Sequence, residues 1–514
     1  MRLAKPKKKG ILNLLFSRIF IVALLIAVQV AIFVGIYLFL AKYVPYFAVF
    51  EVVFTIAMLF YVFNSDMDTS AKLTWLLLLA IAPIPGALFL AYTRINVGHR
   101  ETTRRIETTT TESRSLITQD PRVLNALKGD RSGTAALNCY ISRTNSFPVW
   151  KNTSVKYFPL GESKFRAMLT ELEKAEKFIF MEYFIIEEGE MWGAILDILA
   201  RKAKEGVDVR VMYDGLCEIS TLPGNYDKLL GKLGIKARPF APLTPMVSTH
   251  YNYRDHRKIL VIDGKVAFNG GVNLADEYIN AKVRFGHWKD TAVMLKGPAV
   301  QSFTLMFLQM WNIYEKEHDY KEAQIKADPI ETEGYVIPYG DCPLDSYKVG
   351  ESVYTDILYR ANRYVHIMTP YLILDGELET ALKYAAERGV DVRLILPGIP
   401  DKKTAYSLAK AHYRTLIESG VKIYEYTPGF IHAKVVVSDD HKAVVGTINF
   451  DYRSLYHHFE CATYMYNTTC IPDIEEDFLA TQEKCREVTP ESIKKEKLSY
   501  KLFGTILKLF APLF

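Results

Sequence analysis

Two short stretches of the 514-residue chain hold the side chains best suited to chemistry. The first is His256-Arg257-Lys258-Ile259-Leu260-Val261-Ile262-Asp263, followed by Gly270-Gly271-Val272-Asn273. The second is His432-Ala433-Lys434-Val435-Val436-Val437-Ser438-Asp439, followed by Gly446-Thr447-Ile448-Asn449. Both read H-x-K-x4-D-x6-G-[G/T]-x-N. A neutral imidazole can attack phosphorus, and a second, protonated one can donate to a leaving alkoxide. Two ammonium groups and two amides can hold non-bridging oxygens as charge develops. The lysines bring the charge a metal would otherwise supply, so the pattern requires neither metal ion nor cofactor.

The spacing also predicts how these groups are held. Residues two apart on a strand point the same way, so His256 shares a face with Lys258, and His432 with Lys434. The runs Ile259–Ile262 and Val435–Val437 continue each strand into a core. Asp263-Gly264 and Asp439-Asp440 then supply turn residues, which is one reading of the two aspartates. The next strands end in small residues, expected to allow a ligand close to the backbone. A single H-x-K on an apolar strand is ordinarily just a satisfied core histidine. Two copies with matched suffixes argue against that reading. His250, His457 and His458 fit no metal-ligand spacing and read as supporting or surface residues. No P-loop, G-x-G-x-x-G or nucleophile elbow is present.

The elements around the motifs alternate strand and helix. From about Lys156 a helix starting near Gly161-Glu162-Ser163 precedes an apolar strand, a second helix and the strand VDVRVMYDG. The pattern returns with the strand YVHIMTPYLIL, the helix ELETALKYAAERG and a second Val-Asp-Val-Arg. The VDVR copies lie 183 residues apart (207 to 390) and the H-x-K copies 176 (256 to 432), so each motif occupies an equivalent place in a duplicated unit. The expected fold is α/β, with halves at 151–325 and 326–490.

Before the halves lies an apolar region. Ile19–Leu40 has no formal charge and is long enough to cross a bilayer. Tyr46–Phe63 is a second candidate, interrupted by Glu51. Leu73–Tyr92 is a third, broken by Pro83, Pro85 and Gly86. Residues 1–95 therefore read as a membrane anchor with two or three hydrophobic helices, 96–150 as a linker and 491–514 as a C-terminal amphipathic tail. Basic residues flank the region on both sides and favour the cytoplasm at both ends. An even number of crossings follows, with one candidate not crossing. The tail suits either the membrane interface or packing on the body.

Composition narrows the class. The 63 basic and 58 acidic residues leave a formal charge of +5, too small for the length to indicate bulk nucleic-acid binding. Basic clusters beside the apolar segments instead suit anionic lipid. Six cysteines without a CxxC pair read as free thiols, hence a cytosol-facing globular part.

The paired motifs resemble those of the phospholipase D superfamily, over roughly 150–490. Flanking stretches narrow the resemblance to bacterial cardiolipin synthases: Asn252–Lys258, Asn273–Tyr278, Trp288-Lys289-Asp290, Thr369-Pro370-Tyr371 and Asn449–Ser454 with Glu460 behind. The TWLLLLAIAPIPG segment and the apolar ending Leu507–Leu513 are similar too. The resemblance implies a duplicated domain with pseudo-twofold symmetry. It implies transfer of a phosphatidyl group between two phosphatidylglycerols, giving cardiolipin and glycerol through a phosphohistidine. It places the nucleophile on His256 and the acid/base on His432, the phosphate cradle on Lys258, Lys434, Asn273 and Asn449, and orienting roles on Asp263 and Asp439. It further implies a multi-pass cell-membrane protein with the catalytic part in the cytoplasm. A hydrolase, a transferase using another alcohol and a degenerate scaffold are the competing readings. Oligomeric state is not legible.

Overall fold

The computed structural model describes residues 24, 27–35, 44–94, 99–130, 132–242, 253–495 and 498–513. Twenty strands are described in them. The first half contributes β1 (Ser154–Phe158), β2 (Phe178–Tyr183), β3 (Asp208–Asp214), β4 (Lys236–Phe240), β5 (Arg254–Asp255), β6 (Lys258–Ile262), β7 (Val266–Gly270), β8 (His287–Lys289) and β9 (Ala292–Lys296). The second contributes β10 (Tyr335–Asp341), β11 (Tyr364–Met368), β12 (Leu372–Ile373), β13 (Asp391–Pro397), β14 (Lys422–Tyr426), β15 (Gly429–Ile431), β16 (Val435–Ser438), β17 (Lys442–Gly446), β18 (Phe450–Asp451), β19 (His458–Tyr466) and β20 (Cys485–Val488).

The duplication is visible strand by strand. One sheet runs β1-β9-β7-β6-β2-β3-β4 and the other β10-β19-β17-β16-β11-β13-β14-β20. Parallel pairs fall at β2/β3/β4 and at β11/β13/β14, and the remaining neighbours on these paths are antiparallel in both sheets. Helices fall in matching intervals: Gly161–Leu172 with Val349–Arg360, and Glu190–Lys204 with Gly376–Glu387. The fold is the expected α/β duplication.

The repeated Val-Asp-Val-Arg has a structural use. Asp208 and Arg210 lie two apart on β3, share a face and pair at 2.7 Å. Lys236 of β4 reaches the same carboxylate at 2.7 Å. On β13 Asp391 pairs with Arg393, and Lys422 of β14 closes the group at 2.9 Å.

The helix Val300–Asn312 is buried along its whole length and joins the cores of the two sheets. The stretch expected as a linker, 96–150, is largely helical where described, at His99–Ser113, Pro121–Lys128 and Thr134–Asn145. It packs on the body, with Ile106, Leu127, Leu137 and Ile141 in the same core.

Among the described residues one helix is long and apolar enough to cross a membrane. It is Tyr46–Phe63, with a mean hydropathy of 2.1. Its Glu51 accepts a hydrogen bond from Gln29 at 3.1 Å, which gives the interrupting carboxylate a partner. Leu73–Tyr92 divides at Ala82 into Thr69–Ile81 and Pro83–Arg94, where the prolines end the first helix. Much of Ile19–Leu40 lies outside the described residues. The tail helix Leu498–Leu509 packs on Lys403–Glu418, closely enough that a Cβ on Gly504 would lie 2.5 Å from the carbonyl of Ser407. Thr74 of the apolar region donates to the carbonyl of Leu509 at 2.6 Å. All six cysteines are free.

Candidate active site

Each H-x-K segment is positioned by the opposite half. β5, just before His256, pairs with β19 of the second sheet, and the His256 amide donates to the carbonyl of Phe459 at 2.9 Å. β15, just before His432, pairs with β8, and the His432 amide donates to the carbonyl of Lys289 at 2.7 Å. The two contacts are twofold mates. His256 therefore lies in an extended connection before β6 rather than within its sheet strand, and His432 likewise before β16.

The carboxylates cross over in the same way. Nδ1 of His256 lies 2.8 and 3.0 Å from the oxygens of Glu460. Nδ1 of His432 lies 2.6 Å from Asp290. The carboxylates occupy equivalent places. Gly270 pairs with Ala292 and Gly446 with Ala462, and Asp290 and Glu460 each stand two residues before that alanine. Each half thus supplies a histidine whose orienting carboxylate belongs to the other half. In the sequence Asp290 and Glu460 stand out only as residues flanking the motifs, because their pairings with the histidines span 142 and 204 residues.

The pattern G-[G/T] follows from these carboxylates. A Cβ on Gly271 would lie 2.1 Å from Asp290 Oδ1, so the glycine makes room for it. At the matching position the Thr447 hydroxyl donates to Glu460. The preceding Gly270 and Gly446 were expected to admit a ligand. They instead admit the neighbouring strand, since a Cβ would lie 2.5 Å from the Ala292 Cα and 2.3 Å from the Ala462 Cβ.

Both lysines are buried beside their histidines. Lys258 Nζ donates to the His256 carbonyl at 2.5 Å. Lys434 Nζ contacts the His432 carbonyl and lies 2.9 Å from its Nδ1. Burial pushes Lys258 down to about 8 and Lys434 down to about 7. His432 falls to about 4, through burial and then the Lys434 charge. His256 falls well below its ordinary value, through burial and then the charges of Lys258, His458, Lys434 and His432. These mutual effects place the two motifs in one electrostatic centre. Burial also raises Glu460 well above the usual carboxylate range.

The other expected residues divide. Asn273 accepts from the Ile185 amide at 3.1 Å and donates to the Tyr278 hydroxyl at 2.8 Å, and the Tyr278 ring stands edge-on to His432. Asn449 donates to Asp451 at 3.3 Å, and its buried Oδ1 has no hydrogen-bond partner. Asp263 and Asp439 are not brought to the histidines; they sit at the far ends of β6 and β16. Asp263 accepts the amides of Glu176, Lys177 and Phe178 at 2.7–2.9 Å, and Asp439 those of Asn362, Arg363 and Tyr364 at 2.8–2.9 Å. Their φ values of 53° and 54° suit a left-handed turn that Asp tolerates. The structure places both in turns that secure the start of the neighbouring strand, in keeping with the turn reading of the two aspartates.

Sequence reasoning missed Lys164. It is fully buried on Gly161–Leu172, donates to the Val272 carbonyl at 3.2 Å, and is pushed down to about 7 by burial. The available signal was a lysine in the apolar stripe with Met168 and Leu172. Of the two readings left open for His458, supporting or surface, the structure favours the first: His458 is buried, with its ring 5.1 Å from that of His256. One ligand atom each from His256, His458 and Glu460 lie within 4.8 Å of one another, residue types that bind transition metals.

The family described as "Cardiolipin synthase, PLD-like domain" matches residues 168–311 and 354–481, just over half of the chain, with one segment in each half. The chain belongs to this cardiolipin synthase family. As a member it is an enzyme of the phosphatidyl-transferase class. Cardiolipin synthase 2 of Bacillus cereus is 33% identical over 88% of this chain and 88% of its own length. Cardiolipin synthase of Alkalihalophilus pseudofirmus is 32% identical over 90% and 93%. An uncharacterized protein of Streptococcus mutans is 59% identical over 89% of this chain and all of its own length. The phosphatidylserine synthase crystal structure from Haemophilus influenzae shares the fold, with a TM-score of 0.54 and 15% identity over 70% of this chain and 93% of that one.

Proposed function

We propose that the chain is a cardiolipin synthase that transfers a phosphatidyl group from one phosphatidylglycerol to another, releasing glycerol. The observation that carries this reading is the crossed pairing of His256 with Glu460 and His432 with Asp290. Each carboxylate takes Nδ1 and leaves Nε2 as the reactive nitrogen, the arrangement that a nucleophile and a general acid both require.

In the proposed sequence Nε2 of His256 attacks phosphorus. A phosphorus–nitrogen bond forms and the bond to the glycerol oxygen breaks. His432, its protonation restored when the negative charge of the bound phosphate offsets the burial and the Lys434 charge that depress it in the empty site, gives a proton from Nε2 to that oxygen and glycerol leaves. The second phosphatidylglycerol then enters. Its terminal hydroxyl loses a proton to His432 and attacks phosphorus, and the phosphorus–nitrogen bond breaks. Cardiolipin forms, and both histidines return to their starting states. Lys258, Lys434, Asn273 and Asn449 would hold the non-bridging oxygens, with Asp263 and Asp439 acting through the scaffold. The buried ammonium groups favour the pentacoordinate state, whose added charge they neutralise. The reading uses no metal ion and no cofactor.

The chain would work as a multi-pass cell-membrane protein with its catalytic part facing the cytoplasm. The units would be an anchor at 1–95, the packed segment at 96–150, halves at 151–325 and 326–490, and a tail at 491–514. The apolar helix Tyr46–Phe63 and the tail's contact with Thr69–Ile81 support a site held near the lipid surface.

The test is purified full-length protein in mixed micelles containing phosphatidylglycerol alone, with a chelator present. Cardiolipin and glycerol in equal amounts support the proposal. Phosphatidic acid with glycerol and no cardiolipin would make the protein a hydrolase.

A further inference from the structure

The twofold relation that matches Glu460 with Asp290 also matches the residues two places earlier, His458 and Trp288. Each ring stands beside a motif histidine. The Trp288 ring is 5.5 Å from that of His432 and the His458 ring 5.1 Å from that of His256. Each ring carries buried polar atoms without a hydrogen-bond partner: Nε1 of Trp288, and both Nδ1 and Nε2 of His458. Leaving such groups unpaired is costly, typically about 1–3 kcal/mol each, and orphaned donors concentrate where a ligand completes them.

The two positions differ in chemistry. An indole N–H only donates, which suits an ester or phosphoryl oxygen. A neutral imidazole donates once and accepts once, which suits a hydroxyl. Burial, and then the neighbouring charges of Arg453, His457 and Lys258, depress protonation of His458 and so favour the neutral ring. Its Nδ1 lies 3.6 Å from the Glu460 carboxylate that orients His256. The surroundings differ as well. Trp288 lies among aromatic rings, with Tyr278 and Phe430 each at 4.8 Å, whereas His458 has Phe184 at 6.2 Å and His256 as ring neighbours.

We infer that His458 is a head-group-positioning residue, holding a glycerol hydroxyl of the reacting lipid through its two unpaired ring nitrogens. This rests on the proposed transfer and adds to it the group that favours a polyol acceptor over water. Water carries no second hydroxyl to fix. An acceptor held at His458 is placed against the phosphohistidine, and one that is not held leaves the intermediate open to hydrolysis.

The experiment compares wild type with His458→Phe, which keeps the ring and removes both polar atoms, and with His458→Asn, which restores a donor and an acceptor. All are full-length proteins in phosphatidylglycerol micelles, and both cardiolipin and phosphatidic acid are measured. His458→Phe is expected to raise KM for phosphatidylglycerol about tenfold and to shift product from cardiolipin toward phosphatidic acid. Total phosphatidylglycerol consumed should fall less than cardiolipin does. His458→Asn is expected to recover most of the cardiolipin share. Unchanged KM and product ratio in His458→Phe would overturn the inference, as would equal loss of both products without recovery in Asn. Absence of cardiolipin from wild type would instead refute the proposed function.

Discussion

Nδ1 of His256 lies 2.8 Å from a carboxylate oxygen of Glu460, a residue 204 positions later and in the other half of the molecule. The mate contact, His432 to Asp290 at 2.6 Å, runs the opposite way. Neither motif histidine takes its orienting carboxylate from its own half. The paired site therefore needs both sheets assembled.

Glu460→Gln and Asp290→Asn should each reduce cardiolipin formation by about 100-fold or more, because a positioned acid or base contributes on that scale. Both substitutions keep shape and permit a hydrogen bond with the wrong tautomer. Steady-state rates with thermal unfolding alongside check this. Activity near wild type in either variant would remove the carboxylate from the account.

Asp263 should behave differently. Its carboxylate accepts three backbone amides and lies away from the histidines. Asp263→Ala should cost about 2–4 kcal/mol of stability, since buried hydrogen bonds to a charged group are lost together. Protein that remains folded should keep its KM. Asp439 is more exposed and its loss should cost less. Thermal unfolding in detergent, with activity normalised to folded protein, separates the two effects.

The lysines set the alkaline side of the pH profile. Burial lowers Lys434 to about 7 and Lys258 to about 8, so each is charged below its own value and neutral above it. Phosphate binding needs the charged form. kcat/KM should therefore fall by about tenfold or more between pH 6.5 and 9, reporting groups of the free enzyme. Lys434→Met should lower kcat/KM throughout and remove the step near pH 7. A flat profile over this range would contradict the assignment.

Gly271 and Thr447 are equivalent positions with opposite demands. A side chain on Gly271 meets Asp290, whereas the Thr447 hydroxyl supports Glu460. Gly271→Thr should displace Asp290 and reduce transfer by about 100-fold. Thr447→Val should keep the packing, remove one donor and cost about tenfold, near the worth of one buried hydrogen bond. Initial rates of the two variants test the ordering.

The duplication was legible because its marks are local. Val-Asp-Val-Arg and the H-x-K stretches each lie within a few residues, and the repeat needs only their spacing. Turn residues were legible too, since Asp263 and Asp439 precede left-handed positions that few residue types accept. The partners Asp290 and Glu460 were not, because nothing in a single strand says which strand of the other half will face it. Gly270 and Gly446 illustrate the same difficulty. Their smallness was evident, but whether it serves a ligand or a neighbouring strand depends on packing. The stretch 96–150 read as a linker because its first helix is polar apart from Ile106; that residue, with Leu127, Leu137 and Ile141 of the two later helices, docks it on the body. For the tail, sequence left interface and body equally open, and Gly504 against Ser407 marks close packing on the body.

The most direct test of the central claim, that histidines from both halves carry out one transfer, is the product yield of His256→Ala and His432→Ala beside wild type. All three would be purified full length and supplied with phosphatidylglycerol alone in the presence of chelator. The account predicts equal cardiolipin and glycerol from wild type, and neither product above background from either variant, with membrane insertion and thermal unfolding preserved. Cardiolipin formed at a substantial fraction of the wild-type rate by either variant would contradict it.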